Sequence, residues 1–281
     1  MTSIESTAVS PKVLAALLTE SRLKKLSFTG STPVGRELIR QSADNLLRTS
    51  TELGGKLRNK GEACTAANRF LIHEDVAEEF IAQIAVQFAG QRMGHGADPA
   101  TTIGPPIDDA AVRKCADLVN DAIDRGARLV GGGETDLATG SFYAPTIIRD
   151  VPPEARILRE QVFGPVAPIV TFKTMEEVVR LVNNTEYGLA SYVFTRDLDR
   201  SVSFGEAVRA GMVGVNRGVL SNAAAPFGGI GASGFGREGG GEGIDEYLDT
   251  KYLAINRPDR ATAQADLPDR ATAQADLAAR F

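Results

Sequence analysis

The sequence predicts an α/β architecture with a largely parallel sheet. Short β-branched apolar runs alternate with longer stretches of helical periodicity through most of the 281 residues, which is the pattern of successive strand–helix units. Hydrophobic residues make up 43% of the chain, enough core for two modest domains or one large one.

The elements follow in order. "KKLSF" (24–28) reads as a strand, and "PVGRELIRQSADNLL" (33–47) as a helix with Pro33 in its first turn. "NRFLIH" (68–73) is a second strand. The helix over 74–90 sets Val76, Phe80, Ile84 and Phe88 on one face. The helix over 108–126 does the same with Val112, Cys115, Leu118, Val119 and Ala122, and ends at Gly126. Strands are expected at "ARLVG", "YAPTII", "APIVTF", "ASYVFT" and "GMVGVN", and helices at 174–184 and 197–209. The end of the chain is different. "PDRATAQADL" stands at 258–267 and again at 268–277. It is polar and Ala-rich, and it reads as a frayed helix or disordered tail.

Composition removes several classes. A net charge of -5 argues against a nucleic-acid binder. No run reaches the ~20 apolar residues of a membrane helix. The N-terminus lacks the basic start and apolar stretch of a secretory signal. Two cysteines build no disulfide framework. Together these lead to the expectation of a cytoplasmic, reducing setting.

The two cysteines read differently. Cys115 lies in the apolar stripe of its helix and belongs to the core. Cys64 lies in a polar loop after Gly61, flanked by Arg58 and Lys60. Cationic neighbours favour the thiolate, the form that attacks. Glu52, in "STELGGK", ends an apolar-rich segment. A carboxylate near a thiol activates water to cleave a thioester, and an ordinary exposed glutamate fits the spacing equally well. "GFGREG" (234–239) matches G-x-G-x-x-G, but no strand precedes it, so it is not read as a dinucleotide fingerprint. "GSTPVG" (30–35) follows a strand and opens a helix, and it is the better phosphate-side loop.

The motifs "SFTGSTPVG", "ELGGK", "GEACTAANR", "GSFYAPTII", "EQVFGPVAP", "NNTEYGLASYVFTRD" and "APFGGIGASGFGREGGGEG" stand in this order between about residues 20 and 256. Collectively the chain resembles the aldehyde dehydrogenase family, and within it the succinate-semialdehyde branch. That resemblance implies a three-layer αβα fold, NAD or NADP as cofactor and a small aldehyde as substrate. It implies Cys64 as nucleophile, forming a thiohemiacetal and then a thioester, with its backbone N–H in the oxyanion hole. Glu52 matches the general base, and Phe163 the aromatic residue beside the nicotinamide. Gly30 and Ser31 match the turn approaching the cofactor. Gln161 stands at the family's glutamate that binds the cofactor ribose. Arg58 and Ser221 match the pair that holds a distal carboxylate, for which an arginine fork is suited.

Measured against the family pattern, the chain starts late. Eleven residues separate Glu52 from Cys64, where the family has a strand and a helix. Glu62 replaces a glutamine two residues before the thiol, and a carboxylate there is expected to raise the thiol pKa. The domains expected are a cofactor-domain remnant (1–51), a catalytic domain (52–240), an oligomerisation strand region (241–256, with its strand over 247–255) and the tail (257–281). Association with its own copies or with full-length relatives follows from the resemblance. Two other readings stay open: a remnant that acts only by such association, and a cofactor-independent thiol esterase.

Overall fold

The computed structural model describes residues 59–220 and 222–255. Before them it describes Thr29, Ser31, Pro33, Val34, Arg36 and Glu37 and the backbone of strands over 2–4, 23–29 and 48–52. The chain divides into two compact units, Met1–Tyr247 and Leu248–Phe281.

In chain order the elements of the first unit are β1 (Thr2–Ile4), β2 (Leu23–Thr29), β3 (Arg48–Glu52), β4 (Phe70–His73), α1 (Glu74–Ala89), α2 (Asp109–Asp124), β5 (Arg128–Gly131), β6 (Thr135–Asp136), β7 (Phe142–Tyr143), β8 (Thr146–Arg149), β9 (Val166–Phe172), α3 (Met175–Asn183), β10 (Tyr187–Gly188), β11 (Ala190–Val193), α4 (Leu198–Ala207), β12 (Met212–Val215), β13 (Ile230–Gly231) and α5 (Glu242–Asp245). The fold is α/β and its strand pairing is largely parallel, as expected. β1, β2 and β3 form one parallel sheet. The central sheet runs β4-β9-β8-β5, parallel except for β5 at its edge. β11 and β12 form a separate parallel pair.

Local chemistry sets the helix ends. The Asp108 side chain accepts from the Ala111 N–H at the start of α2, and Gly126 takes the left-handed conformation just past its end (φ 110°). Thr174 caps α3 by accepting from the Glu177 N–H, and Glu177 reaches back to the Lys173 N–H. α4 starts on Asp197, which accepts from the Arg200 N–H. All five residues of the α2 stripe are buried, and they pack with Tyr143, Ile148, Ile157 and Val166. Among the described residues, no helix is long and apolar enough to cross a membrane.

Three expectations need correction. On α1 the buried residues are Ala77 and Ile81. Phe80, Ile84 and Phe88 are only partly buried, and Val76 is 50% exposed. Small Ala77 lets the helix approach the sheet closely, so the contact line runs through it and turns Val76 outward. "YAPTII" is not one strand. It breaks between β7 and β8 at Ala144–Pro145, because proline has no N–H for the ladder and restricts the residue before it. In the second unit, no strand forms over 248–255. The duplicated tail lies outside the described residues, as does most of the helix expected over 33–47; Pro33, Val34, Arg36 and Glu37 are helical.

Tyr143 is buried in the core, and its hydroxyl makes no well-formed hydrogen bond, the Thr146 hydroxyl being its one weak polar contact. The neighbouring Thr146 hydroxyl already donates to the Ala144 carbonyl and accepts from the Gly133 N–H. Burial pushes the Tyr143 pKa up to about 12. An unfolded tyrosine ionises near pH 10. Above that pH the unfolded chain releases a proton that the folded chain retains, so stability falls as pH rises through about 10 towards 12. Tyr143→Phe is expected to stabilise the fold by on the order of 1 kcal/mol at pH 7, since an orphaned hydroxyl is removed. Its advantage should widen above about pH 10. Urea unfolding at neutral and alkaline pH measures both, and equal losses in the two proteins on raising pH would refute the assignment.

Candidate active site

The approach to Cys64 is a tight left-handed turn. Asn59, Lys60 and Gly61 have φ of 55°, 56° and 77°. Such backbone is costly for residues other than glycine and persists where its surroundings impose it. Here the surroundings are Gly164. A Cβ on Gly61 would stand 2.3 Å from the Gly164 carbonyl oxygen, so the turn lies directly on that backbone. Cys64 itself is half-buried, in a turn between Gly61 and β4.

Glu62, expected beside the thiol, is itself engaged by two other groups. Its carboxylate binds the Lys60 ammonium at 2.9 Å and accepts from the Ile107 N–H at 2.9 Å. The anion and cation nearest Cys64 in sequence are paired with each other. The pair also straps the 104–107 segment to the turn.

Asn68 joins the turn to the loop that carries Gln161 and Phe163. Its side-chain amide donates to the Glu160 carbonyl (3.0 Å) and accepts from the Val162 N–H (3.1 Å). Arg69 anchors the same segment on its other side. Its guanidinium donates to the Leu181 and Val182 carbonyls at 3.1 and 2.9 Å, at the C-terminus of α3, where a cation complements the helix dipole. Burial pushes the Arg69 pKa down. Sequence reasoning passed over both residues. Their signal was two polar side chains directly before an apolar strand.

Phe163 has φ 53° and is 36% exposed, a strained conformation for an aromatic residue. Gln161 is half-buried. Glu52 is the last residue of β3 and pairs in register with Thr29, the last residue of β2. Glu52 and the loop containing Ser31 therefore leave the sheet at the carboxyl ends of parallel strands, the edge where open α/β sheets bind ligands. Ser31 is exposed, and helical residues follow from Pro33. Gly30, Arg58, Ser221 and the side chain of Glu52 lie outside the described residues. Residues 234–239 are irregular apart from a bridge from Glu238 to Phe227; contrary to expectation the two-residue strand β13 precedes them, but no helix opens within the motif, and Gly234, Gly236 and Gly239 have positive φ. A cavity of about 580 Å³ is lined by Phe194, Arg196, Leu198, Val215 and Asn216 among others; it includes none of the candidate residues.

Comparison with known proteins gives a consistent result. The model of the aldehyde dehydrogenase family matches residues 7–59 and 55–253, and the junction of the two stretches falls between Glu52 and Cys64. The chain is 45% identical to a succinate-semialdehyde dehydrogenase of Paenarthrobacter nicotinovorans over 91% of its own length and 62% of the relative's. It is 41% identical to a 3-sulfolactaldehyde dehydrogenase of Pseudomonas putida over 85% of its length and 54% of the relative's. The crystal structure of succinate-semialdehyde dehydrogenase from Burkholderia pseudomallei superposes with a TM-score of 0.84 at 39% identity, covering 88% of this chain and 56% of that one. The chain thus spans between about half and three-fifths of these relatives.

Proposed function

The chain belongs to the aldehyde dehydrogenase family, and we propose that it carries aldehyde oxidation through Cys64 on a short aldehyde bearing an anionic group. The observation that supports this most is the docking of the thiol turn on the Gln161–Gly164 loop, through Gly61 against Gly164 and through both hydrogen bonds of Asn68. A turn held in a costly conformation against a second loop with an exposed, strained aromatic is a built site rather than a surface excursion.

In this reading the Cys64 sulfur bonds to the aldehyde carbon, and charge develops on the carbonyl oxygen next to the Cys64 N–H. NAD or NADP, when bound, would supply the hydride acceptor that this oxidation needs. Phe163, which is 36% exposed, is the residue assigned to the nicotinamide ring, and Gln161, Ser31 and Gly30 are assigned to the ribose and phosphate side. Cys64 is left as a thioester. Glu52 takes a proton from water, the hydroxide adds to the thioester carbon, and the sulfur–carbon bond breaks to release the acid and the thiol. The names of the relatives point to succinate semialdehyde and 3-sulfolactaldehyde, both aldehydes with a distal anion. Arg58 and Ser221 are the residues assigned to hold it, the guanidinium by two parallel bonds.

The test is a nicotinamide fluorescence titration of the full chain combined with an absorbance assay for reduced cofactor on succinic semialdehyde. Saturable binding and turnover are expected with NAD or NADP. Absence of both overturns aldehyde oxidation by this chain, and ester hydrolysis persisting alone would assign it thiol chemistry without the cofactor.

A further inference from the structure

We propose that Tyr192 is the positioning residue of the nucleophile turn, its hydroxyl fixing the backbone one residue beyond Cys64. The inference rests on the reading of Cys64 as nucleophile. Tyr192 donates from its hydroxyl to the Thr65 carbonyl at 2.6 Å, a short bond for its type. The turn itself offers little there. Its own hydrogen bond over Cys64, from the Ala66 N–H to the Ala63 carbonyl, is 3.3 Å long, beyond the usual range for N–H donors. The backbone around the thiol is therefore held from outside, and Tyr192 supplies the short bond.

The tyrosine is itself fixed. Tyr192 lies in β11 and pairs in register with Gly214 of the parallel strand β12. A Cβ on Gly214 would stand 2.9 Å from Tyr192 Cδ1, so the ring occupies the space a side chain would fill. The same point would lie 3.0 Å from the Arg217 carbonyl oxygen and from Leu220 Cδ2, on the segment that leads to Ser221. Burial raises the Tyr192 pKa, more than the hydrogen bond to Thr65 lowers it, and proximity to Cys64 adds to the rise. The hydroxyl therefore remains a donor through the range in which a thiol ionises.

Tyr192→Phe keeps the ring on Gly214 and removes only the bond. In the full 281-residue chain, hydrogen exchange of the Cys64–Ala66 amides is expected to accelerate about tenfold, the opening factor of one lost hydrogen bond. Exchange in α2 and the melting temperature should stay unchanged. The second readout is the pH–rate profile of Cys64 alkylation by iodoacetamide, followed by peptide mass spectrometry with buried Cys115 as reference. Its midpoint should move upward, because the Thr65 carbonyl loses the donor that balances its negative end. Gly214→Ala, which displaces the ring, should reproduce both changes. Unchanged exchange and an unchanged profile in the two variants would overturn the proposal. A wild-type Cys64 no more reactive than Cys115 would instead overturn the nucleophile reading, and the exchange measurement would still decide whether Tyr192 holds the turn.

Discussion

Cys64→Ala is expected to lower both aldehyde oxidation and ester hydrolysis by at least about a thousandfold, because removing the nucleophile of a covalent mechanism leaves only binding and electrostatic assistance. The fold should not notice. Cys64 is half-buried in a turn and belongs to none of the core clusters among the described residues, so the melting temperature should match that of the wild type. Cys64→Ser should be nearly as impaired, since an alcohol is not ionised at neutral pH as a thiol partly is. Steady-state rates of the purified variants beside their thermal melts separate the chemical effect from a structural one. Ester hydrolysis within a few-fold of wild type in Cys64→Ala would place the reaction elsewhere. An equal loss of Tm would make Cys64 a packing residue.

The parts of this molecule that were legible in its sequence share one property: their physics is local. The α2 stripe could be read because helical spacing alone decides which residues share a face, and all five of its apolar residues are buried. On α1 the expected Phe80, Ile84 and Phe88 do pack against the core, and only Val76 was misassigned, its place being taken by Ala77, too small to register as a core residue. The two-residue strands β6, β10 and β13 are too short to show any period. The site divides in the same way. Cys64, Glu52 and Phe163 were named from motifs, whereas the contacts that arrange them join positions far apart. Asn68 reaches 92 and 94 positions along the chain, and Tyr192 reaches 127. A pairing rule for such contacts exists only in three dimensions. Lys60 and Glu62 make the same point at short range: the sequence sets both charges beside the thiol, and only the geometry shows that they engage each other.

The largest structural effect is expected beneath the site, where the thiol turn, the Phe163 loop and helix α2 are stacked with no slack. A Cβ on Gly61 would meet the Gly164 carbonyl oxygen at 2.3 Å, and a Cβ on Gly164 would meet the Cys115 sulfur at 2.1 Å. Both distances are far inside van der Waals contact. Cys115 is fully buried in the α2 face, so its sulfur has nowhere to retreat. Gly164→Ala should therefore destabilise the fold by about 1–3 kcal/mol, the usual cost of overpacking. It should also impair turnover, because lifting Gly164 displaces both Phe163 and the Gly61 turn. Cys115→Ala alone should cost about 1 kcal/mol for the lost burial. In the double variant the two changes should compensate, since the new methyl enters the space the sulfur left. A favourable coupling of about 1–2 kcal/mol is expected in a double-mutant cycle read by urea unfolding, with turnover returning alongside stability. Gly61→Ala should behave differently. Its obstacle is backbone, and its φ of 77° disfavours any side chain, so Cys115→Ala should bring no relief. Additivity of Gly164→Ala with Cys115→Ala, or rescue of Gly61→Ala by the same change, would mean that the layers give way independently and that the depth of the thiol turn is set by something other than this stack.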